Sequence, residues 1–271
     1  MATDFIVGIY NYCDYWCDRC AFTRRCRTFA MGEEERKAER LKARSDEDNA
    51  CFWDSIEGTF ANAREQLDAL AESRFADDLF EGLDEIDDDD LEASMQREEM
   101  TRRAVYAHPL VMLARTYCTE VAKWSESAKQ DIAASVKDIV SRARIGLDDT
   151  VGTARREFDA LEEMMDVILW YHTLLPPKTC RYVDDMMRDG PASGSDGEDT
   201  LGTAKLLLVS ADRCISAWMH IREHLPTQED SILRFLVMLD RFRRMIKRQS
   251  PSARAHIRPG LDDEQRIKFR E

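Results

Sequence analysis

The sequence predicts an all-α protein, an antiparallel multi-helix bundle with a four-cysteine metal-binding module at its N-terminus. Three observations carry that expectation. Across 271 residues there are only 11 Gly and 7 Pro, while Ala, Leu, Glu, Arg and Met, which lose little on entering a helix, recur throughout. Apolar residues return every three or four positions along several segments, and no segment alternates apolar and polar as a half-buried strand would. Four cysteines, Cys13, Cys17, Cys20 and Cys26, crowd into NYCDYWCDRCAFTRRC (11–26) with the spacing C-x3-C-x2-C-x5-C.

Taken in order, residues 1–47 read as the metal module and a connector helix. MGEEERKAERLKARSDED (31–48) forms helix readily but has almost no apolar residue to bury, so it reads as solvated. The bundle is expected over 48–249. Its first stripe is Phe52, Ile56, Phe60, Ala63, Leu67 and Leu70. Ten of the sixteen residues from 77 to 92 are acidic, but they lack the alternating ligands and central glycine of an EF-hand loop, so a solvated turn leading into a helix near Glu92 is expected. His108-Pro109 opens a long segment to about Ile145, with Leu110, Leu113, Tyr117, Val121 and Trp124 on one face. Gly146 and Asp148-Asp149 mark a break. The next stripe is Phe158, Leu161, Met165, Ile168, Leu169, His172 and Leu175, expected to stop at Pro176-Pro177. DGPASGSDGEDT (189–200) reads as a loop. Two helices follow, separated by Pro226: one with Leu201, Ala204, Leu208, Ala211, Ile215 and Trp218, the other with Ile232, Phe235, Leu236, Leu239, Phe242 and Ile246. The polar tail, 250–271, is expected to be extended.

A net charge of −14 argues against nucleic acid as a general partner. The charge is uneven: residues 19–44 hold nine Arg/Lys against four Glu, leaving −19 over the remainder. No run reaches the roughly 18 apolar residues of a membrane span, and the N-terminus has no basic stretch followed by an apolar one, so a cytoplasmic protein is expected. In a reducing compartment a tight thiol cluster points to metal rather than to disulfides. Cys51, Cys118, Cys180 and Cys214 are scattered and read as small buried hydrophobes.

Four thiolates on a short loop suit a tetrahedral zinc or an iron-sulfur cluster. Structural zinc usually takes two separated C-x2-C knuckles, whereas only Cys17 and Cys20 form one here. The stretch CDRCAFTRRC resembles the iron-sulfur staple of RecB-family nucleases, in which a fourth cysteine comes from far upstream; here Cys13 stands in its place. The resemblance implies the cluster type and not the activity, because nothing downstream reads as the sheet of that nuclease core. C-x3-C-x2-C is also the radical-SAM spacing, but such an enzyme needs alternating strands and helices that this sequence does not pattern. A 4Fe-4S cluster is favoured over zinc, which stays open as the alternative, with metal-free thiols as a third reading. Arg19, Arg24, Arg25 and Arg27 would offset a cluster's negative charge, and Tyr12, Tyr15, Trp16 and Phe22 would shield it from water. Otherwise the aromatics dock the module onto the bundle.

A ferritin-like di-iron centre requires Glu-x-x-His pairs, and none of the histidines has one. His172 lies on an apolar stripe and reads first as a hydrogen-bonded core residue. Lys178, Arg181, Lys205, Asp212, Arg213 and Glu163 are expected to pair between helices. The functional version is an enzyme pocket lined by His172, Lys178, Lys205, Asp212 and Arg213. RFRRMIKR (241–248) suits a helix C-terminus and offers charge to an acidic partner.

The cysteine motif followed by DNACFWDSI (48–56), ILWYHTLLPPKTCR (168–181), GTAKLLLVSADRCISAW (202–218) and HIRPGLDDE (256–264) resembles an uncharacterised bacterial all-helical family. That resemblance implies a cytoplasmic bacterial setting and one integral domain, and no reaction. The expected function is therefore metal binding, with an iron-sulfur cluster serving electron transfer or redox sensing with a protein partner. The alternatives are a structural zinc module on an interaction scaffold and an enzyme with the polar pocket.

Overall fold

A computed structural model describes residues 5–42, 58, 61, 64–65, 88–144, 151–189, 197–258 and 260–262. Among them the chain is all-helical. The helices are α1 (Arg27–Lys42), α2 (Asp88–Ala107), α3 (Pro109–Ser127), α4 (Lys129–Arg144), α5 (Val151–Asp189), α6 (Glu198–His224) and α7 (Glu229–Gln249). Short 3-10 turns lie at Ile9–Asn11, Cys17–Arg19, Thr23–Arg25 and Pro226–Gln228. The chain divides into two compact units, Met1–Phe5 with Phe22–Met100, and Ile6–Ala21 with Thr101–Glu271.

In the first unit α1 is the expected solvated helix: it has almost no apolar face, and Arg36 pairs with Glu33 at 2.7 Å while its guanidinium sits 5.7 Å from the centre of the Phe29 ring. The stripe from Phe52 to Leu70, Cys51 and most of the acidic run fall outside the described residues.

In the second unit α5 packs against α3, α4 and α6, and α7 packs against α6 and α3, which makes a helical bundle. Leu110, Val111, Ala114, Tyr117, Val121 and Trp124 of α3 are buried. So are Ile232, Phe235, Leu239, Phe242 and Ile246 of α7. At the centre the fully buried Trp218 meets Trp124 edge-on at 4.8 Å and lies 4.8 Å from Phe235. Its indole N–H donates to the Tyr117 hydroxyl at 2.9 Å, so the polar edge of the largest core side chain is satisfied. Pro226 separates α6 from α7 as expected.

Three expectations are corrected. The segment opened by His108 is two helices, not one. His108 Nδ1 accepts the Leu110 N–H at 3.2 Å and Pro109 takes the first helical position, a strong start. The break comes at Ala128, which is fully buried; beyond it α4 redirects Ile139 into the core. Second, α5 runs through Pro176-Pro177 to Asp189. The prolines remove two helical N–H donors, but Tyr182 and Val183 beyond them are buried, and this long-range burial offsets the local penalty. Third, the tail is not extended up to residue 262. It turns after α7, with Ala253 N–H donating to the Ser250 carbonyl, Ser250 Oγ against the Tyr182 hydroxyl at 2.9 Å, and Ala253 buried. No helix among the described residues is long and apolar enough to cross a membrane.

Candidate functional site

Residues 6–21 form a loop seated on α5 and α6. Asp14 Oδ1 accepts the Trp16 N–H at 3.2 Å across Tyr15, an Asx-type turn. Tyr15 sits in the left-handed region at φ 57°, a strained position for a residue with a side chain. The strain is held because both neighbours of Tyr15 bind the bundle. Asp14 Oδ2 accepts hydrogen bonds from the Tyr171 hydroxyl at 2.6 Å and from Arg213 Nη1 at 2.9 Å, and Arg213 also donates to the Tyr171 oxygen. The Trp170 indole N–H donates to the Asp14 carbonyl at 2.9 Å. Burial, together with the bond to Asp14, holds the Tyr171 hydroxyl well above the usual phenol range, so it stays a donor. Trp16 stacks on Trp170 at 5.1 Å and 15° and meets Tyr171 edge-on at 5.9 Å. Arg19 lies 4.2 Å over the Trp16 ring and reaches Asp166 at 2.9 Å and Glu163 at 3.4 Å. These ion pairs are exposed and contribute little, whereas stacked aromatics add about 0.5–1.5 kcal/mol beyond their burial.

A second fastening lies at Tyr12. Its hydroxyl donates to Asp199 at 2.5 Å, and its ring presses so closely on α6 that a Cβ at Gly202 would stand 2.2 Å from Tyr12 Cδ1. Arg258 Nη1 donates to the Tyr12 carbonyl at 3.4 Å, and the same guanidinium forks onto Asp262, which also pairs with Lys205 at 2.8 Å. Burial alone would raise the Asp262 carboxyl, but hydrogen bonds from Arg258 and Lys205 hold it well below the usual carboxylate range. The C-terminal tail thus clamps the N-terminal loop.

Cys13, Cys17 and Cys20 lie on this loop as partly buried thiols outside any disulfide. Cys17 opens the 3-10 turn and its carbonyl accepts the Cys20 N–H at 3.1 Å. The Cys13 thiol reaches the Tyr10 carbonyl at 3.5 Å. Burial pushes Cys13 up; the Tyr15 N–H opposes this, Asp14 adds to it, the Lys178 charge opposes it and Cys17 adds to it. Lys178 is itself buried, with its ammonium 4.4 Å over the Tyr15 ring, and burial lowers its pKa. Cys26, Arg24 and Arg25 belong to the first unit, where the Cys26 carbonyl accepts the Ala30 N–H at the start of α1. Among the described residues no three His, Cys, Asp or Glu side chains are gathered as a metal site.

The remaining expected site residues take separate partners. His172 Nδ1 lies 3.2 Å from the Ile168 carbonyl of its own helix. Lys205 goes to Asp262, and Asp212 to Arg243 at 3.1 Å and Arg254 at 2.5 Å. Arg181 pairs with Asp185 at 3.7 Å. Lys178 and Arg213 meet the thiol loop at Asp14 or its neighbours, and Glu163 meets it through Arg19. Asp14, Trp170, Tyr171, Arg258 and Asp262 are not marked as site residues by the sequence, although all but Asp14 fall in the conspicuous blocks 168–181 and 256–264. No known protein family, curated protein or solved structure matches this chain.

Proposed function

We propose that the chain is a metal-binding helical protein whose Cys13, Cys17, Cys20 and Cys26 hold an iron-sulfur cluster used in electron transfer or redox sensing with a protein partner. The four-ligand set comes from the sequence spacing. The observation that carries the functional reading is the seating of the loop: Asp14 and Trp16 lie between Cys13 and Cys17 and are bound by Trp170, Tyr171 and Arg213. A change at the sulfurs therefore pulls on residues that α5 and α6 hold directly. When bound, the cluster would supply a one-electron couple, and its thiolate ligands would be held by the turn at Cys17–Arg19. Because no metal-ready gathering of side chains is present among the described residues, metal binding would draw the thiols together and so couple to local folding.

A second reading, a structural zinc module on an interaction scaffold, is favoured by one observation. Arg19 and Trp16, expected to tune and shield a cluster, are spent on Glu163, Asp166 and Trp170. Metal analysis and visible spectra of anaerobically purified protein separate the two. Brown protein containing iron and sulfide, bleached by Cys17→Ser, supports the cluster; colourless protein with stoichiometric zinc supports the second reading.

A further inference from the structure

α7 carries a second face that is independent of the thiol loop. Its buried stripe points to the core, while Leu233, Val237, Arg241, Arg244 and Arg248 recur at four, four, three and four positions and so share the opposite side. With Leu236 and Asp240 they line a shallow open groove of about 570 Å³ along α7. Val237 is 69% exposed and Leu233 40%. The groove is polarised along the helix, with apolar side chains in its N-terminal half and three exposed arginines in its C-terminal half. Asp240 offsets only part of that charge: it takes Arg244 at 2.6 Å and Arg243 at 3.0 Å. Arg241 and Arg248 form no ion pair with any described carboxylate. In a chain of net charge −14 this is a local concentration of the opposite sign.

We propose that this face docks an acidic amphipathic helix of a partner protein, with the partner's apolar residues on Leu233, Leu236 and Val237 and its carboxylates on Arg241, Arg244 and Arg248. The stretch from Leu233 to Arg248, fifteen helical steps, spans roughly 22 Å, enough to meet about four turns of such a helix. The apolar half distinguishes this partner from a polyanion, which would bind only the arginines and meet the repulsion of the whole chain. Apolar contact supplies affinity, and the charges set direction and register. The docking does not depend on which metal the cysteines hold.

The test uses the full chain and a fluorescein-labelled synthetic helix with Leu at every third or fourth position and Glu on both flanks, followed by anisotropy. Saturable binding is expected. It should weaken at least about tenfold in Arg241→Glu/Arg248→Glu and in Val237→Glu, weaken with added salt, and be unchanged in Arg155→Glu on α5. Circular dichroism checks folding, and Arg241→Gln/Arg248→Gln replaces the charge reversal if that variant does not fold. Absent peptide binding, or binding indifferent to these substitutions, overturns the proposal. So does Arg241- and Arg248-dependent binding of duplex DNA or anionic vesicles in place of the peptide, or a dimer that Val237→Glu dissolves.

Discussion

Asp14→Ala should loosen the thiol loop by an amount that the geometry bounds. The substitution removes the acceptor of the Tyr171 hydroxyl and of Arg213. A hydrogen bond to a charged group contributes about 1.5–3 kcal/mol, while the Arg213 pair, with its guanidinium side chain 53% exposed, contributes less than about 1 kcal/mol. A loss of about 2 kcal/mol follows, or about 4–8 °C in Tm for a unit of this size. Tyr171→Phe removes the same bond from the other side. In a double-mutant cycle followed by urea unfolding, the two substitutions should therefore couple by about 1–2 kcal/mol, with the double variant little worse than Asp14→Ala alone. Strict additivity, a coupling below about 0.3 kcal/mol, would refute the reasoning, because it would mean that Asp14 and Tyr171 are not partners in solution.

The other seats make comparable predictions. Gly202→Ala places a methyl inside the Tyr12 ring, so overpacking of about 1–3 kcal/mol is expected together with faster proteolysis within residues 6–21; unchanged stability and cleavage would contradict the close approach. Asp262 has a depressed folded-state pKa, so its contribution is fully present above about pH 4, near the unfolded value, and is lost as pH falls through the folded one. Asp262→Asn should accordingly flatten the acid limb of a stability-pH profile; an acid limb identical to that of the parent chain counts against the Arg258–Asp262–Lys205 clamp. Tyr117→Phe strips the acceptor from the buried Trp218 indole and should cost about 1–3 kcal/mol in urea denaturation, whereas a cost near zero would mean that the indole finds another partner.

What the sequence made legible follows the range of the forces involved. The stripes of α3 and α7 were readable because a 3.6-residue period depends only on near neighbours, and Tyr117, Val121, Trp124, Phe235, Leu239 and Phe242 are buried as that period requires. The continuation of α5 was not readable: the proline penalty is local, while its compensation, the burial of Tyr182 and Val183, comes from helices distant in sequence. The tail contains little that is apolar, and it is fixed by Arg258 and Asp262 against Lys205, a pairing across more than fifty residues. The cysteines stood out because they cluster in sequence. Asp14 did not, since a lone acid between two cysteines acquires its role only from Tyr171 and Arg213, 157 and 199 residues away. Lys205 and Asp212 stand two turns apart on α6, and that separation lets the tail claim one and α7 share the other.

The most direct test is metal content, with a visible spectrum, of protein purified anaerobically alongside Cys17→Ser and Cys20→Ser. A metal centre on the parent chain, brown and rich in iron and sulfide, that is lost in both variants while bundle helicity persists is the expected result. A metal-free parent chain, or metal retained in full when both thiols are removed, would contradict a cysteine-held centre.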